Sequence, residues 1–401
     1  LAGYGGPWAT GVHDDVCASA VYLDDGDSTA LLISFDLIAM EAPLILRLKG
    51  AARRGVDVEA EHIFFTCTHT HEGPEVRQRK YYVRDGQRVR LDYQDAYYEF
   101  LDGQVETVSR QAAESAQECD LLVNRCDVDE NHNRRLFLND EQFLGTPGFK
   151  ELIPAANGYA DKELGMLFFC PTRSRHPFGV IVNYTMHPLT AGNTSTLISA
   201  DVPGVVREVV KESLQCPTCY ITGAAGDNHP KRAEGGFVET RRVGHVLGTE
   251  VVNRRYNAHR IGGPLRLQCL TRSITLPRRT EEELRAIPHR EGDDGWLTPI
   301  LHEIQHPGEP VDVQFTLLAI GPVLFVGVPG EMVSELGATL KWFSPFKRTY
   351  VMYEATEHFS YIAHPNAYVW GGGEALDGHL SPSAVRPLID AILDAAEELR
   401  G

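Results

Sequence analysis

Hydrophobic and polar positions along the chain follow two rhythms. The segments "ALLISFDLIAM" (30–40), "HIFFTCTH" (62–69), "FGVIVNYTM" (178–186) and "CYITGA" (219–224) are short, almost continuous apolar runs. Runs of this length, rich in Val, Ile and Phe, read as strands buried on both faces. "VQFTLLAIGPVLFVGVPG" (313–330) reads as two such strands joined at Gly321-Pro322, a pair that favours a turn. Elsewhere the spacing lengthens. From Tyr93 to Ala116 the residues Tyr93, Tyr97, Phe100, Leu101, Val105, Val108 and Ala112 recur at intervals of three and four, which marks one face of a helix. A last helix is expected from Ser381-Pro382, with Ser as N-cap, Pro in the first turn and a buried stripe of Val385, Leu388, Ile389, Ile392 and Leu393. Strands alternating with helices predict an α/β fold: a single large mixed-sheet domain over 1–401, helices packed on the sheets, and an active site at strand ends. The polar stretch 280–311 carries three of the sixteen histidines and reads as a surface insertion, a loop-helix excursion.

Composition narrows the function classes. Of 401 residues, 43% are apolar and 23% charged, ordinary values for a globular protein, and no apolar stretch is long enough to span a bilayer. The net charge of −17 repels phosphate backbones and anionic headgroups, so neither nucleic acid nor stable membrane insertion is expected. Eight scattered cysteines do not make a disulfide scaffold. Cys216-Pro-Thr-Cys219 is a lone CxxC that leaves a redox role as the least favoured reading, and Cys67 and Cys170 read as small core residues.

Four polar constellations end apolar runs: His69-Thr70-His71-Glu72-Gly73-Pro74, Asn183 to Pro188 with His187, Gly223 to Pro230 with Asp227 and His229, and Gly327 to Glu331. Ligands of α/β folds bind beyond strand ends. Residues i and i+2 of a strand share a face, so His69 and His71 point into one pocket if the strand runs on that far. His69, His187 and Glu331 would form a His-His-carboxylate set of the kind that holds catalytic zinc with one position open. Each residue also has a plain reading. A strand-end His is ordinarily a satisfied polar residue. Glu331 is a carboxylate favoured at the N-terminus of a helix "EMVSELGATLKW", and Gly226-Asp227 is a turn. Residue patterns alone therefore reach a metal site with hydrolytic chemistry.

The same segments carry a resemblance. His69-Thr-His-Glu-Gly-Pro resembles the His-Thr-His-Ser-Gly-Pro box of the neutral/alkaline, non-lysosomal ceramidases. The similarity continues in order through residues 3–26, "NHNRR" (131–135), "NYTMHPLT", "SADVPG" (199–204), "GAAGDNHP", "VPGE" and "SYIAHPNAYVWGGGEA" (360–375), and so covers most of the chain. What it implies is a Zn2+-dependent amidase that splits an N-acyl bond. His69, His187, Glu331 and Tyr361 would hold the metal, His71 would face the substrate, and Arg134 and Tyr368 would bind substrate or steady the oxyanion.

Three departures bear on that expectation. The position of the family's nucleophilic serine is His229 here, so acyl-serine chemistry is closed at that residue and direct attack by metal-activated water takes its place, with His229 or His71 moving the proton. Glu72 replaces the Ser of the box and adds a carboxylate, a general base in one reading and a supporting acid in the other. No C-terminal immunoglobulin-like domain and no apolar docking segment are expected after the last helix, which favours a small soluble acyl substrate over ceramide in a bilayer. Ester, lactone or glycan cleavage and a non-catalytic metal-binding protein are the alternatives. Manganese or iron would also suit the donor set.

Overall fold

The structure is a computed structural model and describes all residues except 4–7, 79–81, 85–86, 90–93, 140–141, 146–157, 193–194, 232–234 and 288–296. Part of the opening resemblance (4–7), Tyr93 and one histidine of the polar insertion (His289) thus lie outside the described residues.

Three sheets share one central core. The first orders Ala18–Asp24, Thr29–Phe35 and Ile63–Cys67. The second runs Thr218–Thr222, Gly179–Tyr184, Glu163–Pro171, Cys119–Asp127, His259–Arg260. The third runs Leu267–Pro277, Pro310–Ile320, Val323–Gly327, Arg348–Met352. Period-two alternation explains the continuous apolar runs, because both faces of these strands are covered. In Thr29–Phe35, Ala30 and Leu32 face the core between the sheets while Leu31, Ile33 and Phe35 face the helices Ala42–Gly55 and Gln94–Glu114. In Glu163–Pro171, Leu167 and Phe169 enter the shared core, and Leu164, Met166, Phe168 and Cys170 meet Asp201–Leu214 and Gly236–Arg254. In Pro310–Ile320, Leu318 and Ile320 turn inward and Val313, Phe315 and Leu317 meet Ser334–Phe343 and Val385–Arg400. The expected α/β mixed-sheet architecture with helices on the sheets is what forms.

Each sheet contains one parallel strand pair joined through a helix. Thr29–Phe35 pairs with Ile63–Cys67 across Ala42–Gly55, Gly179–Tyr184 with Thr218–Thr222 across Asp201–Leu214, and Val323–Gly327 with Arg348–Met352 across Ser334–Phe343. Such βαβ units leave their functional loops at the carboxyl ends of the strands. Backbone bonds stitch those ends together: Thr68 N–H to Phe35 O at 2.8 Å, Gly223 N–H to Tyr184 O at 3.0 Å, Tyr353 N–H to Thr222 O at 3.1 Å and Val328 N–H to Met352 O at 3.1 Å.

Some expectations shift in detail. The helix over 93–116 spans Gln94–Glu114, but its buried stripe runs through Tyr98, Leu101, Val105 and Ser109, leaving Phe100 55% exposed. The residues at 97, 100 and 108 sit to one side of that stripe, and Tyr97 and Phe100 stack on each other at 5.9 Å. Ser381 caps a short 3-10 turn over Pro382–Ala384, and the long helix follows from Val385. The insertion folds into Glu281–Arg285, opened by a Thr280–Glu283 capping box, and Leu297–Ile304. Leu284, Leu297, Ile300 and Ile304 bury one another there. No helix among the described residues is long and apolar enough to cross a membrane.

Asp36 ties the first unit to the second. It is 2% exposed, accepts Thr68 Oγ1–H at 3.1 Å and Cys17 N–H at 2.8 Å, and receives both terminal nitrogens of Arg207 from the helix Asp201–Leu214. Removing one partner of a buried pair leaves an uncompensated charge. Asp36→Ala is expected to cost about 3–5 kcal/mol in urea unfolding of the purified protein. A loss below about 1 kcal/mol, the surface-pair range, would show that this tether is dispensable.

Candidate active site

Close backbone approach sets up the site. The strand before His69 ends at Cys67, and His69 itself adopts φ +69°. The two histidines of the His-x-His pair therefore do not share a strand face. The chain turns left-handed at His69, fixed by His69 N–H on Leu37 O at 2.9 Å, and the turn still leaves the His69 and His71 rings 5.2 Å apart. His187 follows Gly179–Tyr184, and its N–H bonds Asn228 O at 2.9 Å. Glu331 lies in a two-residue strand, Glu331–Met332, paired in parallel with Tyr361–Ile362, and the helix begins only at Ser334. The helix-dipole reading of Glu331 is thereby corrected. Two glycines permit this arrangement. A Cβ on Gly226 would stand 2.6 Å from Glu331 O, and one on Gly330 (φ +133°) would stand 2.5 Å from Ser360 O.

Hydrogen bonds fix the tautomers of the central imidazoles. His69 Nδ1 lies 2.7 Å from Ile38 O, and His187 Nδ1 lies 2.6 Å from Ala225 O. A carbonyl only accepts, so both Nδ1 atoms carry the proton. Burial drops the His187 pKa to about 4, which keeps the ring neutral and leaves a bare lone pair at Nε2. Both Nε2 atoms face the same carboxylate oxygen: Glu331 Oε2 is 3.3 Å from His69 Nε2 and 3.2 Å from His187 Nε2. Two lone pairs and an anion thus converge without a proton between them. Bonds of about 2.0–2.1 Å to a tetrahedral ion would set neighbouring donors about 3.3–3.4 Å apart, and each imidazole-to-Glu331 separation matches that spacing for a zinc-sized cation. His69, His71 and His187 also offer ligand atoms within 4.8 Å of one another.

A second group lies beside the first. Arg134 donates through Nε to Glu374 Oε1 at 2.5 Å and through Nη1 to His229 Nε2 at 2.6 Å, and its guanidinium sits 5.2 Å from the Tyr361 ring centre. Arg135 Nη1 bonds the other Glu374 oxygen at 2.6 Å. An arginine only donates, so His229 Nε2 accepts. Burial, then Arg134, push the His229 pKa well below the usual histidine range. The His229 ring lies 5.2 Å from that of His187. Asp227 is no plain turn residue. Its side chain accepts Ser334 N–H at 2.8 Å and Asn133 Nδ2–H at 2.7 Å, and its carbonyl accepts Arg134 N–H at 2.8 Å.

The structure thus brings together His69, His71, His187, Glu331, His229, Arg134 and Tyr361. Two expected residues make other contacts. Glu72 is fully buried, and burial, then Asp201, lift its carboxyl well above the usual range, which puts it in the company of acids rather than of the imidazoles. Tyr368 stacks under the guanidinium of Arg279 at 4.9 Å. Cys216 and Cys219 are free and buried, with thiols pushed up to about 11 and about 12 mainly by burial, the reverse of a reactive pair. Sequence reasoning missed Tyr353, whose hydroxyl donates to Glu331 Oε2 at 3.2 Å, and also Glu354 and Glu374. Tyr353 and Glu354 end the strand Arg348–Met352, and the polar break after that apolar run was the available signal.

The fold and the cluster define an α/β protein whose histidines and carboxylates meet at the carboxyl ends of three βαβ units. No family profile matches the chain, and neither does a curated relative. Among solved structures it is similar to the neutral ceramidase from Pseudomonas aeruginosa, with a TM-score of 0.71 at 14% identity over 97% of this chain and 70% of that one. A structure described as ceramidase complexed with C2 gives a TM-score of 0.70 at 16% identity, with the same two coverages. The chain has the neutral-ceramidase fold.

Burial also makes a pH prediction for the metal-free protein. The folded pKa values of His132 and His187 are each about 4, lowered first by burial, against about 6.5 in an unfolded chain. Between those values the unfolded state binds more protons, so stability rises with pH and is lost as pH falls from about 6.5 towards about 4. Melting temperatures of the chelator-treated protein across that range should fall with acid. A flat profile would mean that these imidazoles are already protonated in the fold.

Proposed function

We propose that the chain is a metal-dependent hydrolase, with zinc as the natural ion, that cleaves an N-acyl amide by direct attack of water. The observation that carries this reading is the meeting of His69 Nε2, His187 Nε2 and Glu331 Oε2 at 3.2–3.3 Å with both imidazoles locked as Nδ1–H tautomers. His69, His187 and Glu331 would hold the ion, with Tyr361 on the strand beside Glu331. When bound, zinc supplies a Lewis acid for the carbonyl and acidifies water.

The chain's own residues supply the rest. Arg134 is fixed by Glu374 and His229 and presents its cation to developing negative charge without reorganising. His71 sits beside the ligand histidines, its ring 5.2 Å from that of His69 and 5.6 Å from that of His187, which places it to relay a proton at the centre; burial above all lowers its pKa. His229 is already accepting from Arg134 at Nε2, which ties it to Arg134 rather than to nucleophilic attack. Glu72 and Tyr368 are given no step. The ceramidase neighbours support an acyl-amide substrate, and the charge of −17 favours a soluble one over a lipid in an anionic bilayer.

Elemental analysis of the purified protein should find about one zinc per chain, and none in His69→Ala/His187→Ala. A panel of short-chain N-acyl amines, nitrophenyl esters, lactones and oligosaccharides should be cleaved at the amides first. Arg134→Ala should lower kcat by roughly 10²–10³-fold with metal content unchanged. Stoichiometric metal with no turnover of any panel member would leave a binding protein, and an absence of metal uptake would end the hydrolase reading.

A further inference from the structure

Glu354 is a buried acid that the proposed reaction does not use. It is 1% exposed and adopts φ +49°, a left-handed conformation that a glutamate rarely takes and that marks sites where strain is retained for a purpose. A carboxylate oxygen of Glu354 lies within 4.8 Å of ligand atoms of both His69 and Glu331, all three residues buried. Oε1 is engaged by His358 Nδ1 at 2.9 Å, while Oε2 is buried without a hydrogen-bond partner. His358 Nε2 faces Arg77 Nη1 at 3.4 Å, so the ring accepts there and carries its proton towards Glu354.

Two buried carboxylates, Glu331 and Glu354, therefore flank one imidazole. Arg77, the cation on this side, is committed to Glu75, with Nε to Oε1 at 2.9 Å and Nη2 to Oε2 at 2.7 Å. Carboxylates so placed repel unless a proton or a cation stands between them. A second, separate ion does not fit, because His69 spends Nδ1 on Ile38 O and has only Nε2 to give. Opposite donors on a six-coordinate ion lie about 4.2 Å apart for bonds near 2.1 Å, close to the 4.8 Å within which the Glu354 oxygen approaches the ligand atoms of His69 and Glu331.

We infer that Glu354 is a direct second carboxylate ligand of the ion held by His69, His187 and Glu331, oriented for that role by His358. The inference rests on the metal centre proposed above and adds a ligand to it. It makes the centre formally neutral, two carboxylates against a divalent cation, and raises the coordination number above four. His358 then acts as a positioning residue, in the manner of the outer groups that orient first ligands.

Cobalt(II) reports coordination number without any turnover. The cobalt-loaded wild type should show the weak visible bands of five or six ligands. Glu354→Gln, which keeps the shape and loses the charge, should show the intense bands of a four-coordinate ion. Chelator competition should find its zinc affinity lowered by more than the about 10–100-fold typical of losing a supporting residue. His358→Ala should fall within that range. Cobalt spectra alike in wild type and Glu354→Gln, with zinc affinities within about threefold, would overturn the inference and leave Glu354 sharing a proton with Glu331. If Glu354→Gln does not fold, intense four-coordinate bands in the wild type overturn it alone. A wild type that takes up neither cobalt nor zinc would bring down the metal centre itself, a failure distinct from these.

Discussion

The site depends on one constraint: two backbone carbonyls, Ile38 O and Ala225 O, each take the Nδ1 proton of a buried histidine. That choice of tautomer turns a histidine-carboxylate contact from a salt bridge into an arrangement of three acceptors. Were the protons on Nε2, His69 and His187 would simply donate to Glu331, and the cluster would be a satisfied polar core. With the protons on Nδ1, the same distances describe electron pairs aimed at a common point. The carbonyls come from loops of different βαβ units. Each tautomer is thus set by the strand-end loops within one unit, Ile38 with His69 in the first and Ala225 with His187 in the second, and not by the His-x-His pattern itself.

The three units are joined by buried polar residues as well as by the shared apolar core. Core packing between the sheets is period-two and tolerant of hydrophobic exchange. Asp36 and Asp227 are not tolerant in that sense. Asp36 binds the turn before His69 to the helix that follows His187. Asp227 binds the loop before His229 to the start of Ser334–Phe343 and to the backbone of Arg134. Each aspartate spans two chain segments that carry functional side chains, so a loss of either would move the site before it unfolded the domain.

Legibility in the sequence follows the same division. The apolar runs announced the strands because both faces are buried. Their polar ends announced His69, His187 and Glu331, because an imidazole or carboxylate next to such a run must be satisfied by something. What could not be read was the route. His69 reaches the centre through a positive φ that no residue pattern signals, and Glu331 through a two-residue strand where a helix start was equally consistent. The helix Gln94–Glu114 showed its period, but Tyr98 against Phe100 is a choice made by the partner surface. Tyr353 and Glu354 were signalled only by the polar break after an apolar run, and with Glu374 they become part of the site when the third sheet and the short helix Gly373–Leu376 fold against the first two.

Buried charge is distributed unevenly across the site. On one side Arg134 and Arg135 both bond the carboxylate of Glu374, and Arg134 also bonds His229. On the other, the carboxyls of Glu331 and Glu354 lie close together, and burial, then Glu331, push the Glu354 carboxyl well above the usual range. Buried ionisable groups of this kind are costly in a low-dielectric interior. Their separation directs a field from the arginines towards Glu331 across the site. A cation belongs at the carboxylate end and a developing anion at the arginine end, which is the polarity that splitting an acyl bond requires. The separation persists because Glu374 holds Arg134 on its own side, so the two ends do not collapse into a salt bridge.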